Sequence, residues 1–155
     1  MFKKIMCATD GSRDAVRALQ LAGTLAADAG TAIDVVHVTE YYPAGRVAGL
    51  ATRVDELEVR ARIDEQIAAS GVKCVTHRPH AAAGKTAQRI ADLARELGSD
   101  VIVVGTRGHS AVAGAMLGSV TQRLLHEASC PVLAVPPARE ASSVTHEAQS
   151  LAVTE

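Results

Sequence analysis

Three helix-like segments of this chain stop at a glycine, at Gly30, Gly71 and Gly98, and each glycine is followed within three residues by a β-like run. Glycine just past a helix accepts the left-handed conformation that ends it, so a repeated helix–glycine–strand unit is a repeated αβ step. The helix-like segments are Ser12 to Ala29, about Ala48 to Ser70, and Thr86 to Leu97. In the first, Ala15, Leu19, Ala22 and Leu25 recur at helical spacing and Ser12 stands where an N-cap belongs. In the second, Val54, Leu57, Ala61, Ile63 and Ile67 mark the expected inner face. A fourth segment, Ser119 to Ala128, ends at Ser129-Cys130-Pro131. The strand-like runs are Ile5–Ala8, Ile33–Val38, Val72–Arg78, Asp100–Val104 and Val132–Val135, and Thr39 to Val47 reads as a loop with Pro43 and Gly45.

This alternation predicts an α/β domain. Its core is an open five-stranded parallel sheet with right-handed crossovers and helices on both faces. The domain spans residues 1–137, and residues 138–155, rich in Ala, Ser, Thr and Glu, read as a flexible tail. The chain has 155 residues, 48% of them apolar but only 2% aromatic. The core is therefore built from Ala, Val, Leu and Ile, as suits buried parallel strands under alanine-rich helices. A net charge of −1 speaks against a nucleic-acid binder. Cys7, Cys74 and Cys130 show no paired spacing, which argues against a disulfide framework or a zinc site. Cys7 and Cys74 fall in strand-like runs and read as buried thiols. With no leader-like or membrane-length apolar run, the expectation is a soluble cytoplasmic protein.

Strand apolarity orders the sheet. The fourth run is the most apolar and belongs in the centre with the first, while the mixed third run belongs at an edge. Order 3-2-1-4-5 satisfies this and puts the switch point between strands 1 and 4, where open α/β sheets bind ligands. Strand 1 runs into Thr9-Asp10-Gly11 and strand 4 into Gly105, so two suggestive loops become neighbours. The second loop, Gly105 to Ser119, is about twice the usual 2–6 residues of a strand-to-helix connection. Its glycines, Gly105, Gly108 and Gly118, permit close backbone approach, and the helix start beyond them suits a phosphate. Ser119 is placed to cap that helix or to donate to a phosphate, and Arg107 and His109 lend positive charge. The Asp10 carboxylate is suited to a ribose hydroxyl or a magnesium ion. The order also leaves Val132-Leu133-Ala134-Val135 as an apolar edge, which a second copy of the chain would cover as a symmetric dimer, the alternative being that the tail folds back over it.

Other motifs are weaker. Gly84-Lys85-Thr86 ends like a P-loop, but Pro79 stands where the first glycine is required. His77 and His80 lack a recognised metal spacing, and His37 reads as a satisfied, partly buried imidazole. No general base is evident, so efficient turnover has no visible machinery.

Together, Ala8-Thr9-Asp10-Gly11-Ser12, Val36-His37-Val38, the spacing Gly105-x2-Gly108-x9-Gly118-Ser119 and Ser129-Cys130-Pro131-Val132-Leu133-Ala134-Val135-Pro136 resemble the single-domain, ATP-binding universal stress proteins. The resemblance implies a Rossmann-like, adenine nucleotide alpha hydrolase-like fold that holds ATP, with Mg2+. By it, Ala8 and Thr9 line the adenine, and Val38 hydrogen-bonds it through its backbone. Asp10 faces the ribose or metal. Gly105, Thr106, Arg107, Gly108, His109, Ser110 and Ala111 wrap the triphosphate. Gly118, Ser119, Val120 and Thr121 complete its seat. The resemblance further implies a homodimer through the last strand and a regulatory role with an unidentified protein partner. A weak ATPase or adenylyl-transfer enzyme is the alternative, although neither an SGGxDS-like nor a HIGH-like motif is present; a non-binding dimerisation scaffold is another.

Overall fold

The structure, a computed structural model, describes residues 2–42, 50–108 and 117–137. In chain order the elements are β1 (Ile5–Ala8), α1 (Arg13–Ala29), β2 (Ile33–Val36), β3 (Thr39–Tyr41), α2 (Leu50–Ser70), β4 (Cys74–His77), β5 (His80–Ala82), α3 (Thr86–Leu97), β6 (Val101–Gly105), α4 (Ser119–Glu127) and β7 (Val132–Val135). Five strands form a parallel sheet in the order β4-β2-β1-β6-β7, the order expected from strand apolarity. Ile5 of β1 pairs with Ile33 of β2 on one side and with Val101 of β6 on the other.

Side chains alternate across the sheet, as strand geometry requires. Ile5, Cys7, Val35, Val101 and Val103 pack with Ala18, Leu19 and Ala22 of α1, joined by Ile67 of α2. Met6, Ala8, Val36, Ile102 and Val104 pack with Ile90 and Leu93 of α3 and Leu124 of α4. The small residues of α1 let it lie close to its neighbours. At Gly23 a Cβ would come within 2.4 Å of a Val72 methyl, so this mid-helix glycine makes room for the start of the next αβ step. Gly30 and Gly98 end α1 and α3 in the left-handed region, at φ 64° and 67°, each donating its N–H back to the last turn. Cys7 is buried, and that burial, reinforced by Cys74, pushes its thiol up to about 12. Among the described residues no helix is long and apolar enough to cross a membrane.

Several local expectations are corrected. Residues 39–47 were expected to be a loop, but β3 forms there and pairs with β5 in a second, two-stranded parallel sheet, Thr39 opposite His80 and Tyr41 opposite Ala82. It arises because the paths leaving β2 and β4 stay side by side: His37 N–H donates to His77 O and Thr39 N–H to Pro79 O, both at 3.0 Å. Accordingly β2 ends at Val36 rather than Val38, and the third run of the main sheet is Cys74–His77 rather than Val72–Arg78. On α2, Leu57 and Ala61 are exposed; the inward line passes through Glu56, Val59, Ile63 and Ile67. A polar network described below draws Glu56 inward and turns Leu57 out. The expected helix start at Ala48 and the tail 138–155 lie outside the described residues.

Candidate functional site

A cavity of about 300 Å3 opens at the carboxyl ends of β1 and β6, the switch point of the sheet. Ala8, Thr9 and Asp10 reach it from the end of β1, and Val104 and Gly105 from β6. Arg107, Gly108 and Gly118 follow, then Ser119, Val120 and Thr121 from the first turn of α4. Val38 enters from beyond β2. These include every described residue expected at a nucleotide site except Thr106, while His109, Ser110 and Ala111 lie outside the described residues. Thr106 is instead a tie: its N–H donates to Val135 O at 2.9 Å, and its carbonyl accepts from Gly118 N–H at 2.7 Å. It fastens the loop to β7 at one end and to the start of α4 at the other.

The β1–α1 turn is built from short-range side-chain bonds. Asp10 Oδ1 accepts from Ser12 N–H at 2.9 Å, Thr9 Oγ1 accepts from Gly11 N–H at 3.2 Å, and Ser12 Oγ caps α1 by accepting from Ala15 N–H at 3.3 Å. Gly11 sits at φ 77°. Across the cleft, a Cβ on Gly108 would lie 2.5 Å from Asp10 Oδ2. The glycine is what lets the loop after β6 approach that carboxylate. At Gly105 a Cβ would meet the Asp14 backbone at 3.2 Å, so β6 also ends tightly against the first turn of α1.

The start of α4 is different. Gly118, not Ser119, is its N-cap, in extended conformation, and no side chain among the described residues caps the turn. The expectation that Ser119 caps this helix is therefore corrected; it is the first helical residue. An uncapped helix start lining a cavity presents backbone N–H groups and the positive end of the helix dipole to whatever enters. Thr121, buried, donates its hydroxyl to Gly105 O at 2.8 Å and locks α4 onto the end of β6.

Sequence reasoning missed the third wall. Thr86 and Ile90 of α3 line the cavity, with Ala15 and His37. Their four-residue spacing places them on one helix face, which was a usable signal. The small sheet holds this wall in place: Glu40 of β3 accepts from Gly84 N–H at 3.1 Å and from Thr86 Oγ1 at 2.5 Å. The cavity is thus apolar toward Ala8, Val38, Ile90 and Val104, and polar toward Asp10, Arg107 and the start of α4.

His37, buried, ties the cleft to α2. Its Nδ1 lies 3.1 Å from Thr9 O and its Nε2 3.2 Å from Glu56 Oε1. The same Glu56 oxygen accepts from Thr39 Oγ1 at 2.5 Å and from Arg60 Nε at 2.8 Å. Burial pushes the Glu56 carboxyl up, but the Thr39 hydroxyl, the Arg60 guanidinium and the His37 imidazole outweigh it and hold it below its ordinary 4.5. A carboxyl held low in the folded state adds stability that is complete above its unfolded range and disappears as pH falls through the lowered value. Glu56→Gln is accordingly expected to cost about 0.5–1 kcal/mol at neutral pH for this partly exposed cluster. The gap should narrow below pH 4.5 as the wild-type carboxyl protonates, which urea unfolding at neutral and acid pH measures.

An open parallel α/β sheet with helices on both faces and a ligand-sized cleft at its switch point is a Rossmann-like domain. The chain belongs to the universal stress protein family, which it matches over residues 1–136. It is 37% identical over 139 residues to a universal stress protein of Thermus aquaticus, covering 87% of this chain and 99% of that one. It is 33% identical over 141 residues to universal stress protein A homolog 1 of Coxiella burnetii, covering 86% of this chain and 96% of that protein. Among solved structures it is similar to a universal stress protein in complex with cAMP, with 26% identity and a TM-score of 0.61 over 88% of this chain and 98% of that one.

Proposed function

We propose that the cleft binds ATP with Mg2+ and that the protein is a dimeric, nucleotide-binding regulatory module of the stress response with slow or no hydrolysis. The observation that carries this reading is the pairing, across one cavity, of an apolar wall with a helix start whose N-cap is a glycine. The apolar side, Ala8, Val38, Ile90 and Val104, suits a purine. The backbone N–H groups at the start of α4, with Arg107, suit phosphates. A similar protein holds cAMP, which supports an adenine nucleotide as the class of ligand.

Magnesium fits the donor set. Among the described residues, Asp10 is the only carboxylate lining the cavity, and no cluster of three or more His, Cys, Asp or Glu suits a metal. Mg2+ commonly binds through one or two carboxylates and completes its shell with phosphate oxygens and water. Asp10 would hold it, and the ion would neutralise phosphate charge. Slow turnover follows from the same residues: Asp10 is engaged by Ser12 N–H and crowded by Gly108, and both ring nitrogens of His37 are engaged. That leaves neither group poised to take a proton from an attacking water.

Isothermal titration with ATP and Mg2+, together with mass spectrometry of co-purifying nucleotide, tests the reading. Heat that saturates at one nucleotide per chain supports it; no heat and no carried nucleotide would refute it.

The dimer is proposed through β7, an edge strand of the main sheet that leaves Leu133 37% exposed and follows the exposed Leu125 of α4. Apolar edges invite pairing. Leu133→Asp is expected to shift the mass in sedimentation equilibrium from dimer to monomer. A wild-type monomer, or a dimer indifferent to this substitution, would place the interface elsewhere.

A further inference from the structure

The two ring nitrogens of His37 both face groups that only accept. Thr9 O is a backbone carbonyl, and Glu56, held low by its neighbours, is an ionised carboxylate. A neutral imidazole carries one donor and one acceptor, so it satisfies one of these contacts and turns a lone pair on the other oxygen. Only the doubly protonated ring makes both bonds. We propose that His37 and Glu56 form a proton-operated latch that positions the Thr9–Asp10 wall of the cleft against α2, so that nucleotide affinity falls as His37 loses its proton. The inference rests on the nucleotide reading above.

The charges around the ring set the direction. From α2 come Glu56, which touches it, and Arg60, which is itself bonded to Glu56. Asp10 from the β1–α1 turn and Arg107 from the loop after β6 line the same cleft. From the β4 side only the His77 backbone carbonyl bonds the His37 backbone, and the His77 ring is engaged with Asp34 at 2.7 Å. When one proton leaves, the carboxylate is the stronger acceptor and keeps the remaining N–H on Nε2. The Thr9 carbonyl then faces a lone pair at 3.1 Å and loses its side-chain donor. Two effects act in one direction: the turn carrying Asp10 is released, and a positive charge beside an anionic ligand disappears. His37 and Glu56 act here as positioning residues, through Thr9 and its neighbour.

The test is Mg·ATP affinity by calorimetry from about pH 6 to about pH 8.5, in wild type, His37→Gln and Glu56→Gln. Comparison with the variants cancels protonation of the nucleotide itself. Wild-type affinity should fall about three- to tenfold more over this range than that of His37→Gln, the scale of the net contribution of one hydrogen bond. Parallel pH profiles would overturn the latch. If no form of the protein binds nucleotide, the functional reading fails on its own, and nitrogen NMR of the ligand-free wild type decides the latch. Both His37 nitrogens should carry protons at the acid end. Loss of the Nδ1 proton should move the Thr9 and Asp10 amide signals, and the midpoint should shift to lower pH in Glu56→Gln. A ring singly protonated throughout, or amides that ignore its titration, would overturn the proposal.

Discussion

Gly108→Ala is expected to weaken nucleotide binding by about tenfold or more, an effect of about 1.4 kcal/mol or larger, while leaving the fold intact. The added Cβ would lie 2.5 Å from Asp10 Oδ2, well inside van der Waals contact. Asp10 cannot simply swing aside, because its other oxygen accepts from Ser12 N–H and so shapes the turn into α1. Either that bond breaks or the loop after β6 retreats from the cleft, and both outcomes separate groups the ligand needs together. Gly118→Ala is the informative contrast. Gly118 has φ −60°, open to any residue, and its Cβ would meet Thr106 O at 3.4 Å, an ordinary contact. Its loss of affinity should be much smaller. Calorimetry gives the affinities, and circular dichroism shows whether the variants remain folded. Equal effects at the two glycines would mean that crowding against Asp10 is not what matters at Gly108.

Leu124→Ala is expected to destabilise the protein by about 2–5 kcal/mol, the range for truncating a fully buried leucine. Leu124 is 0% exposed and packs among Met6, Ile102, Ile90 and Leu93, where α3, α4 and the central strands meet. The neighbours that would have to close the void are β1 and β6, each held by parallel pairing on both sides, so relaxation is limited. Leu125, next in sequence, is 49% exposed, and Leu125→Ala should cost well under 1 kcal/mol. Urea unfolding of the pair isolates burial from the loss of helix-forming leucine. Similar midpoints for both variants would contradict this placement of α4.

The main sheet was legible because its signals are local and repeated. Glycines end the helices, apolar runs mark β1 and β6, and mixed polarity marks β4 as an edge. The cleft followed, since strand order alone brings Asp10 and Gly108 together. The β3–β5 sheet was not legible: Thr-Glu-Tyr and His-Ala-Ala are short, carry no apolar alternation and pair across the whole of α2. Without it, Glu40 had no visible reason to hold Thr86, and α3 was not recognised as a wall of the site. Helical spacing also misjudged α2, because its register is set partly by ionic bonds. Hydrophobic periodicity has no means of favouring Glu56 over Leu57 for the inward position. His37 was read as a satisfied, partly buried imidazole; it is buried, and its partners lie in the β1–α1 turn and on α2, neither foreseeable from its own neighbours in sequence.

The unlike beginnings of α1 and α4 bear on how the molecule breathes. Ser12 closes the first turn of α1 from within the chain, whereas α4 starts from a glycine that offers its turn no side-chain oxygen. Helix ends without a cap fray first. Opening of α4 should therefore begin at Ser119 and stop at Thr121, where the bond to Gly105 O pins the helix to the sheet. Backbone amides of that turn would exchange with solvent faster than those at the start of α1. An anion seated there would slow them selectively, acting as the cap that this stretch of sequence does not encode.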